Sequence, residues 1–220
     1  MKKVGSIILF AVVLSVQISA QKSIAIGGYF SPSYTSCFTS SSEELSWLNT
    51  DVNNISRGGF GYSVGVFGEK KFSEKLSLRA GLGYLSMVET MDSFTDLGID
   101  LYKSNYRFIE LPVIASYSFG SNKYVRPFVS FGYVLNYYIN NRIKYSYTGS
   151  NREETVLVKN DFRTINHALR VSVGYDFVLD KKWNLRAESF INSFVSSLTN
   201  QGINRRPIAI GLSISLRKSK

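Results

Sequence analysis

The sequence predicts an all-β chain: an eight-stranded antiparallel up-and-down transmembrane β-barrel with short periplasmic turns and longer extracellular loops. Three observations predict it. Apolar residues recur at every second position in long runs: Leu76, Leu78, Ala80, Leu82, Tyr84; then Ile109, Leu111, Val113, Ala115, Tyr117, Phe119; then Ile208, Ile210, Leu212, Ile214, Leu216. That is the side-chain period of a strand with one greasy face. The rows between them hold Ser, Gly, Arg, Glu and Asn, so one face suits lipid and the other a polar interior. Beyond Ala20 there is no long apolar run, which excludes a bundle of membrane helices.

The front of the chain agrees. Basic Lys2 and Lys3, an apolar stretch from Ile7 to Val16, and small residues at Ser19-Ala20 read as a signal peptide over residues 1–20, cleaved before Gln21. The barrel domain is then 21–220. No Cys stands at the cleavage point, so the signal is not of the lipoprotein kind. The formal net charge is +10, and loss of Lys2 and Lys3 leaves roughly +8. For an exported chain that excess points to an anionic lipid surface and away from nucleic acid. Cys37 is the one cysteine, a free thiol that excludes an intramolecular disulfide framework.

Eight strands follow in order. The first runs from about Ser23 to Tyr34 and the second from Gly59 to Lys70. The third is Leu76 to Glu89, the fourth Tyr106 to Phe119 and the fifth Val125 to Asn140. The sixth is Thr164 to Leu179, the seventh, least regular, Trp183 to Val195, and the eighth Pro207 to Arg217. Connections alternate in length. Short ones lie at 73–75, 120–124 and 180–182; long ones at 36–58, 90–105, 141–163 and 196–206. This is the alternation of periplasmic turns and external loops.

A soluble barrel of lipocalin type also alternates, but with its apolar row inward. Its water-facing row should carry lysine. Here the lysines fall at strand ends or in loops, for example Lys70, Lys71, Lys75, Lys103, Lys144 and Lys182. A lipid-facing band excludes them, because a cation at mid-depth costs about 2–4 kcal/mol. The polar row also holds Gly81, Gly83, Gly132, Gly174 and Gly211, small enough for a narrow barrel to close. Tyr84, Tyr117, Phe119, Tyr133, Tyr137, Tyr175, Phe177 and Trp183 gather toward the strand ends in the apolar rows, as interfacial girdles require.

The stretch Tyr106-Arg-Phe-Ile-Glu-Leu-Pro-Val-Ile-Ala-Ser-Tyr117 resembles the fourth-strand signature of the PorT-like outer membrane β-barrel proteins of Bacteroidetes. Arg126-Pro-Phe-Val-Ser-Phe-Gly-Tyr133 resembles the strand that follows it. The resemblance spans roughly residues 21–220, with sharp motifs over about 25 of them. It implies an eight-stranded outer-membrane barrel, usually of unassigned function. The founding member's link to a secretion system does not follow from these motifs.

Parity places Arg79, Glu110, Arg126, Arg170, Asp176, Arg186 and Glu188 in the lumen. A barrel of eight strands has an interior that side chains fill, so these charges are expected to satisfy one another as a plug. An ion path and a carboxylate pair for acid–base catalysis are the other uses of the same residues. His167 is the only histidine, with no Ser two places on, so the nucleophile–base arrangement of a hydrolase is missing. One His and one Cys make no metal site, and no cofactor signature is present. A second set, Arg57, Lys103, Arg107, Arg142, Lys144, Arg163, Arg205 and Arg206, falls where long loops meet strands. It is expected to form a basic collar, either simply solvated or contacting lipopolysaccharide phosphates through the bidentate reach of Arg.

Ile143, Tyr145 and Tyr147, then a polar tip, then Val156 and Val158 read as a hairpin above the membrane, whose edge could pair with a partner strand. Trp47 and Leu48 in the first long loop are expected to fold back onto the mouth. The function these readings favour is non-enzymatic, a structural or surface-interaction role through the loops. The partners are outer-membrane lipid and lipopolysaccharide, and an extracellular or secretion-machinery protein. A narrow channel for ions or small solutes is the alternative, and a secreted lipocalin-like carrier the second.

Overall fold

A computed structural model of the chain describes residues 24–40, 56–94, 99–120, 122, 124–147, 153–158, 162–180, 182–199 and 204–218. The signal segment 1–20, Trp47 and Leu48, and the hairpin tip at 148–152 lie outside the described residues. The strands are β1 (Ile24–Ser40), β2 (Ser56–Lys71), β3 (Leu76–Phe94), β4 (Ile99–Ser118), β5 (Val125–Tyr147), β6 (Glu153–Val158), β7 (Ile165–Val178), β8 (Trp183–Phe194) and β9 (Asn204–Lys218). All neighbours are antiparallel. The order β4-β3-β2-β1-β9-β8-β7-β5 closes on itself through the β4–β5 pairing, giving a barrel of eight strands. β6 is the return arm of a hairpin that continues β5, pairing Asn141 to Ser146 with Val158 to Glu153.

The faces divide as the period demands. Phe60 is 81% exposed, Ile26 66%, Val66 60% and Leu212 60%, all on the outside. Glu69 at 1% and Arg186 at 2% exposure lie within. A lipocalin-like carrier has the opposite polarity, apolar inside and polar outside, and is excluded. β8 is the least apolar on its outer face because Ala187 and Ser189 are small. With Tyr175, Val173, Leu212 and Ile214 beside them they leave an outward groove of about 530 Å³.

Strands reach 23 residues in β5, whereas a tilted strand crosses a bilayer in about 9–11. The extra length lies at the long-loop end. Residues 90–94 and 99–105, expected as loop, are paired strand in the β3–β4 hairpin. In the sequence there, Asp92, Ser93, Asp100 and Lys103 fall among Met91, Phe94, Ile99 and Leu101, so the long greasy alternation that marks a spanning strand is broken.

Each short turn is closed by a side-chain acceptor at its start. Ser73 Oγ accepts from the amides of Lys75 and Leu76 at 3.2 and 3.0 Å. Asn122 Oδ1 accepts from Tyr124 N at 2.8 Å. Asp180 Oδ1 accepts from Lys182 N and Trp183 N at 2.6 and 2.7 Å. These residues supply the turn with acceptors it would otherwise lack. Gly120 takes φ of 78° in the β4–β5 turn, where a side chain would be strained.

Gly65 and Gly83 face each other across β2 and β3. A Cβ on either would collide with the Tyr29 hydroxyl, which uses that slot to cross the lumen to Glu110.

Two outcomes follow. Gly83→Val should cost upward of about 1–3 kcal/mol by overpacking and deplete the heat-modifiable band on an unboiled gel. Gly68→Ala should leave that band intact, since its Cβ would meet only Ile24 Cγ2 at 3.7 Å. The two amide donors on Asp180 hold its carboxyl below the usual aspartate range, which centres on about 3.9. A depressed folded-state value means that the turn's stabilisation is complete above the ordinary value and is lost as pH falls through the depressed one. A carboxyl ¹³C titration should give a midpoint below the reference, and an unshifted midpoint would contradict it.

Candidate functional site

The lumen is built in two storeys. Toward the short turns it holds a charge lattice. Arg79, Arg170, Arg186 and Arg217 meet Glu69, Glu110, Asp176 and Glu188, every one of them at most 5% exposed. Arg186 grips Asp176 in a fork, Nε to Oδ1 at 2.6 Å and Nη2 to Oδ2 at 2.8 Å, and donates from Nη1 to Ser116 Oγ at 3.2 Å. Glu69 Oε2 accepts from Arg79 at 3.3 Å, and Glu69 Oε1 accepts from Arg217. Arg217 also reaches Asp176 at 3.4 Å. Glu188 accepts from Arg170 at 3.2 Å and from Ser172 Oγ at 2.8 Å. Glu110 is held by the Tyr29 hydroxyl at 2.5 Å.

Four guanidinium groups against four carboxylates leave no formal excess. Three of the arginines also stand over rings: Arg79 over Phe67, Arg170 over Phe190 and Arg186 over Phe128, with Cζ at 4.1, 3.9 and 4.1 Å from the ring centres. A ring face attracts a cation most strongly where water is absent.

Toward the long loops the lumen turns apolar. Leu85, Met87, Tyr106, Phe108, Val134, Tyr138, Ala168, Phe194 and Leu198 form one buried cluster with Phe162 packed against it. Phe108 stands edge-on to Tyr138 at 5.7 Å and tilted to Phe194 at 5.8 Å. Phe162 and Leu198 come from segments flanking β7 and β8, tied across the mouth by Arg163 N to Leu198 O at 2.7 Å. At the same end Glu89, 1% exposed, accepts from Tyr106 Oη at 3.1 Å and from Arg205.

Of the sequence-predicted lumen charges, Arg79, Glu110, Arg170, Asp176, Arg186 and Glu188 lie in the lattice. Arg126 is half-buried at the short-turn rim, where among the described residues it donates to Asn122 O at 3.4 Å. Glu69 and Arg217 were missed. Each stands beside a lysine at a strand end, where a charge reads as the start of a turn, although extending the period-two count by one step places both inward. The aromatic storey was also missed, though Tyr106, Phe108 and Phe194 sit in the inward rows.

The predicted collar is divided. Lys103, Arg142 and Lys144 are exposed and Arg107 half-buried, all in outward rows of β4 and β5. Arg206 is exposed on β9. Arg163 is exposed and donates to Thr199 O at 3.2 Å. Arg205 does not join them: the parity of β9 turns it inward onto Glu89. The Arg57 side chain is outside the described ones. His167 projects outward and shares a hydrogen bond with the Tyr133 hydroxyl. Ser196 Oγ accepts from the His167 backbone amide at 2.9 Å, which leaves that Ser–His contact without the geometry of a nucleophile and base. Cys37 is a half-buried free thiol in the inward row of β1.

Removing one partner of a buried pair strands the other. Glu69→Gln should therefore cost about 3–5 kcal/mol in denaturant unfolding from vesicles. Glu74→Gln on the exposed turn should change it by less than about 1 kcal/mol. Equal effects of the two would contradict the lattice.

Among curated proteins none matches the chain. Similar solved structures include neisserial surface protein A, at 15% identity over 86% of this chain and 95% of that one, with a TM-score of 0.41. The outer membrane protein OprG from Pseudomonas aeruginosa has 10% identity over 90% and 96%, with a TM-score of 0.48. The outer membrane protease OmpT from Escherichia coli has 8% identity over 91% and 97%, with a TM-score of 0.47. The family model described as outer membrane protein beta-barrel domain matches residues 17–195. With its greasy rows outward, its charges inward and that match over most of its length, the chain belongs to the outer membrane protein beta-barrel domain family.

Proposed function

We propose that the protein is a non-conducting, non-enzymatic barrel of the outer membrane whose work is done on its external surface. There a basic face binds the phosphates of lipopolysaccharide. The observation that carries this is the array on β4 and β5. Lys103 stands opposite Lys144, Asn105 opposite Arg142, and Arg107 opposite Asn140. These outward positions follow directly on the apolar rows ending at Ile109 and Ile139, and Tyr84 lies within electrostatic reach of Arg107 and Arg142. Like charges set opposite each other repel, and four on one patch at the edge of a lipid belt attract polyvalent anions. Two guanidinium groups supply the forks that phosphate accepts.

The lumen supports the rest of the reading. The lattice and the aromatic storey lie in series, so a solute would have to displace both. The leader at 1–20 supports export to the outer membrane. The Tyr106–Tyr117 and Arg126–Tyr133 motifs support placing the chain among the PorT-like barrels of Bacteroidetes; within the first, Glu110 is the lumen partner of Tyr29, which gives that position a physical role. A role in holding a protein partner is favoured by β6, which pairs only with β5 among the described strands and leaves an edge for strand addition.

In planar bilayers the protein should give no discrete conductance steps; regular steps would overturn the sealed lumen. Replacing Lys103, Arg107, Arg142 and Lys144 by Gln should weaken binding to lipopolysaccharide vesicles by about fivefold per charge, from about 1 kcal/mol per cation at an anionic surface. Unchanged binding of the quadruple variant would sink the basic-face reading.

A further inference from the structure

The lattice leaves something over at its periplasmic end. The rim there encloses a cleft of about 60 Å³, room for about four waters if one needs about 15 Å³, which is also close to that of a single phosphate or carboxylate group. Besides Lys75 on the turn, three cations on strands line it: Lys71 at the end of β2, Arg126 at the start of β5 and Arg217 near the end of β9. Small polar side chains, Ser77, Ser118 and Asn184, stand between them. The acids above the cleft are engaged. Glu69 accepts from Arg79 and Arg217, and Asp176 accepts from Arg186 and Arg217. Glu74 and Lys75 also line the cleft, on the β2–β3 turn.

What remains is an unspent set of donors. Among the described residues neither Lys71 nor Arg126 has a carboxylate within ion-pairing distance, and Arg126 has only its long bond to Asn122 O. Arg217 is 3% exposed, and its Nε has no hydrogen-bond partner. Arg217 and Arg126 both act on Lys71 as like charges, offset by the engaged Glu69 and Asp176. A buried N–H without an acceptor is costly, and cations that repel one another around a cleft are relieved by an anion. We propose that the periplasmic rim is a binding site for an oxyanion, a phosphate or carboxylate group, held by Lys71, Arg126 and the Arg217 Nε–H. This site is distinct from the basic face on β4 and β5, at the opposite end of the barrel.

The test is a titration of the folded protein in nanodiscs of zwitterionic lipid, followed by ¹H–¹⁵N resonances of arginine Nε–H groups. Inorganic phosphate and acetate are compared with chloride at matched ionic strength. Saturable shifts of Arg217 and Arg126 with phosphate or acetate, absent with chloride, are expected. Lys71→Gln with Arg126→Gln should raise the apparent Kd at least tenfold while the heat-modifiable band is kept. If the double variant loses that band, Arg126→Gln alone, at the half-buried rim, carries the comparison. Shifts that grow linearly and equally with chloride, or a Kd untouched by the variants, overturn the site. A further arm uses short-chain phosphatidylglycerol. Tighter binding than inorganic phosphate assigns the site to a lipid headgroup, and equal or weaker binding assigns it to a free oxyanion.

Discussion

Four arginines and four carboxylates packed inside a tube that is greasy on its outside set the terms for everything else in this molecule. A buried charge is tolerated when an opposite charge and further hydrogen bonds meet it, and is severely destabilising when its partner is missing. The lattice meets this condition by sharing. Glu69 serves Arg79 and Arg217, Asp176 serves Arg186 and Arg217, and phenylalanine rings back the guanidinium planes. Contributions come from β2, β3, β4, β7, β8 and β9, so the inward rows of these six strands are not free to drift by one residue. A slip of that size would exchange a strand's charges with its lipid-facing side chains.

In the proposed reading, the division of the lumen into a charged and an aromatic storey moves function outward. The two storeys lie in series between the periplasmic rim and the long loops. The basic surfaces outside the lattice are at the two ends. One is the cationic face of β4 and β5 beside the outer lipid belt, and the other is the small basic rim below Glu69 and Asp176. The aromatic and apolar belt between them is uniform apart from the groove over Ala187 and Ser189.

Much of this was legible in the sequence, for a physical reason. A period of two with one lipid face is a strong signal, and it located the eight strands of the barrel with ends close to those observed in the membrane-spanning part. It failed where the lipid stops. Beyond Glu89 and before Tyr106 polar and charged residues such as Asp92, Asp100 and Lys103 interrupt the apolar rows, so no long alternation marks the paired segments 90–94 and 99–105. At Arg205 and Arg206 two adjacent cations sit on opposite faces, and only the parity of β9 carried back past Pro207 tells which one enters. Glu69 and Arg217 were hidden by their lysine neighbours. The aromatic storey was hidden by a habit of the signal itself: aromatics in an inward row look the same as aromatics in an outward one until the barrel is closed.

Closure has a consequence for how such a molecule comes to exist. Glu69 and Arg217 stand 148 positions apart in the chain, and their contact forms only when the second strand and the last are in one ring. A flat sheet entering the bilayer strand by strand would carry each of these ions through hydrocarbon alone, at about 2–4 kcal/mol for every arginine at the midplane. The route that avoids this is a sheet already curled around its own charges before it descends, with the seam between β1 and β9 sealing as the hollow dehydrates. Insertion and folding then become one event. Its slow step is the meeting of distant ends, and a chain caught half-way would be held at the membrane surface by the same ions that later lock it shut.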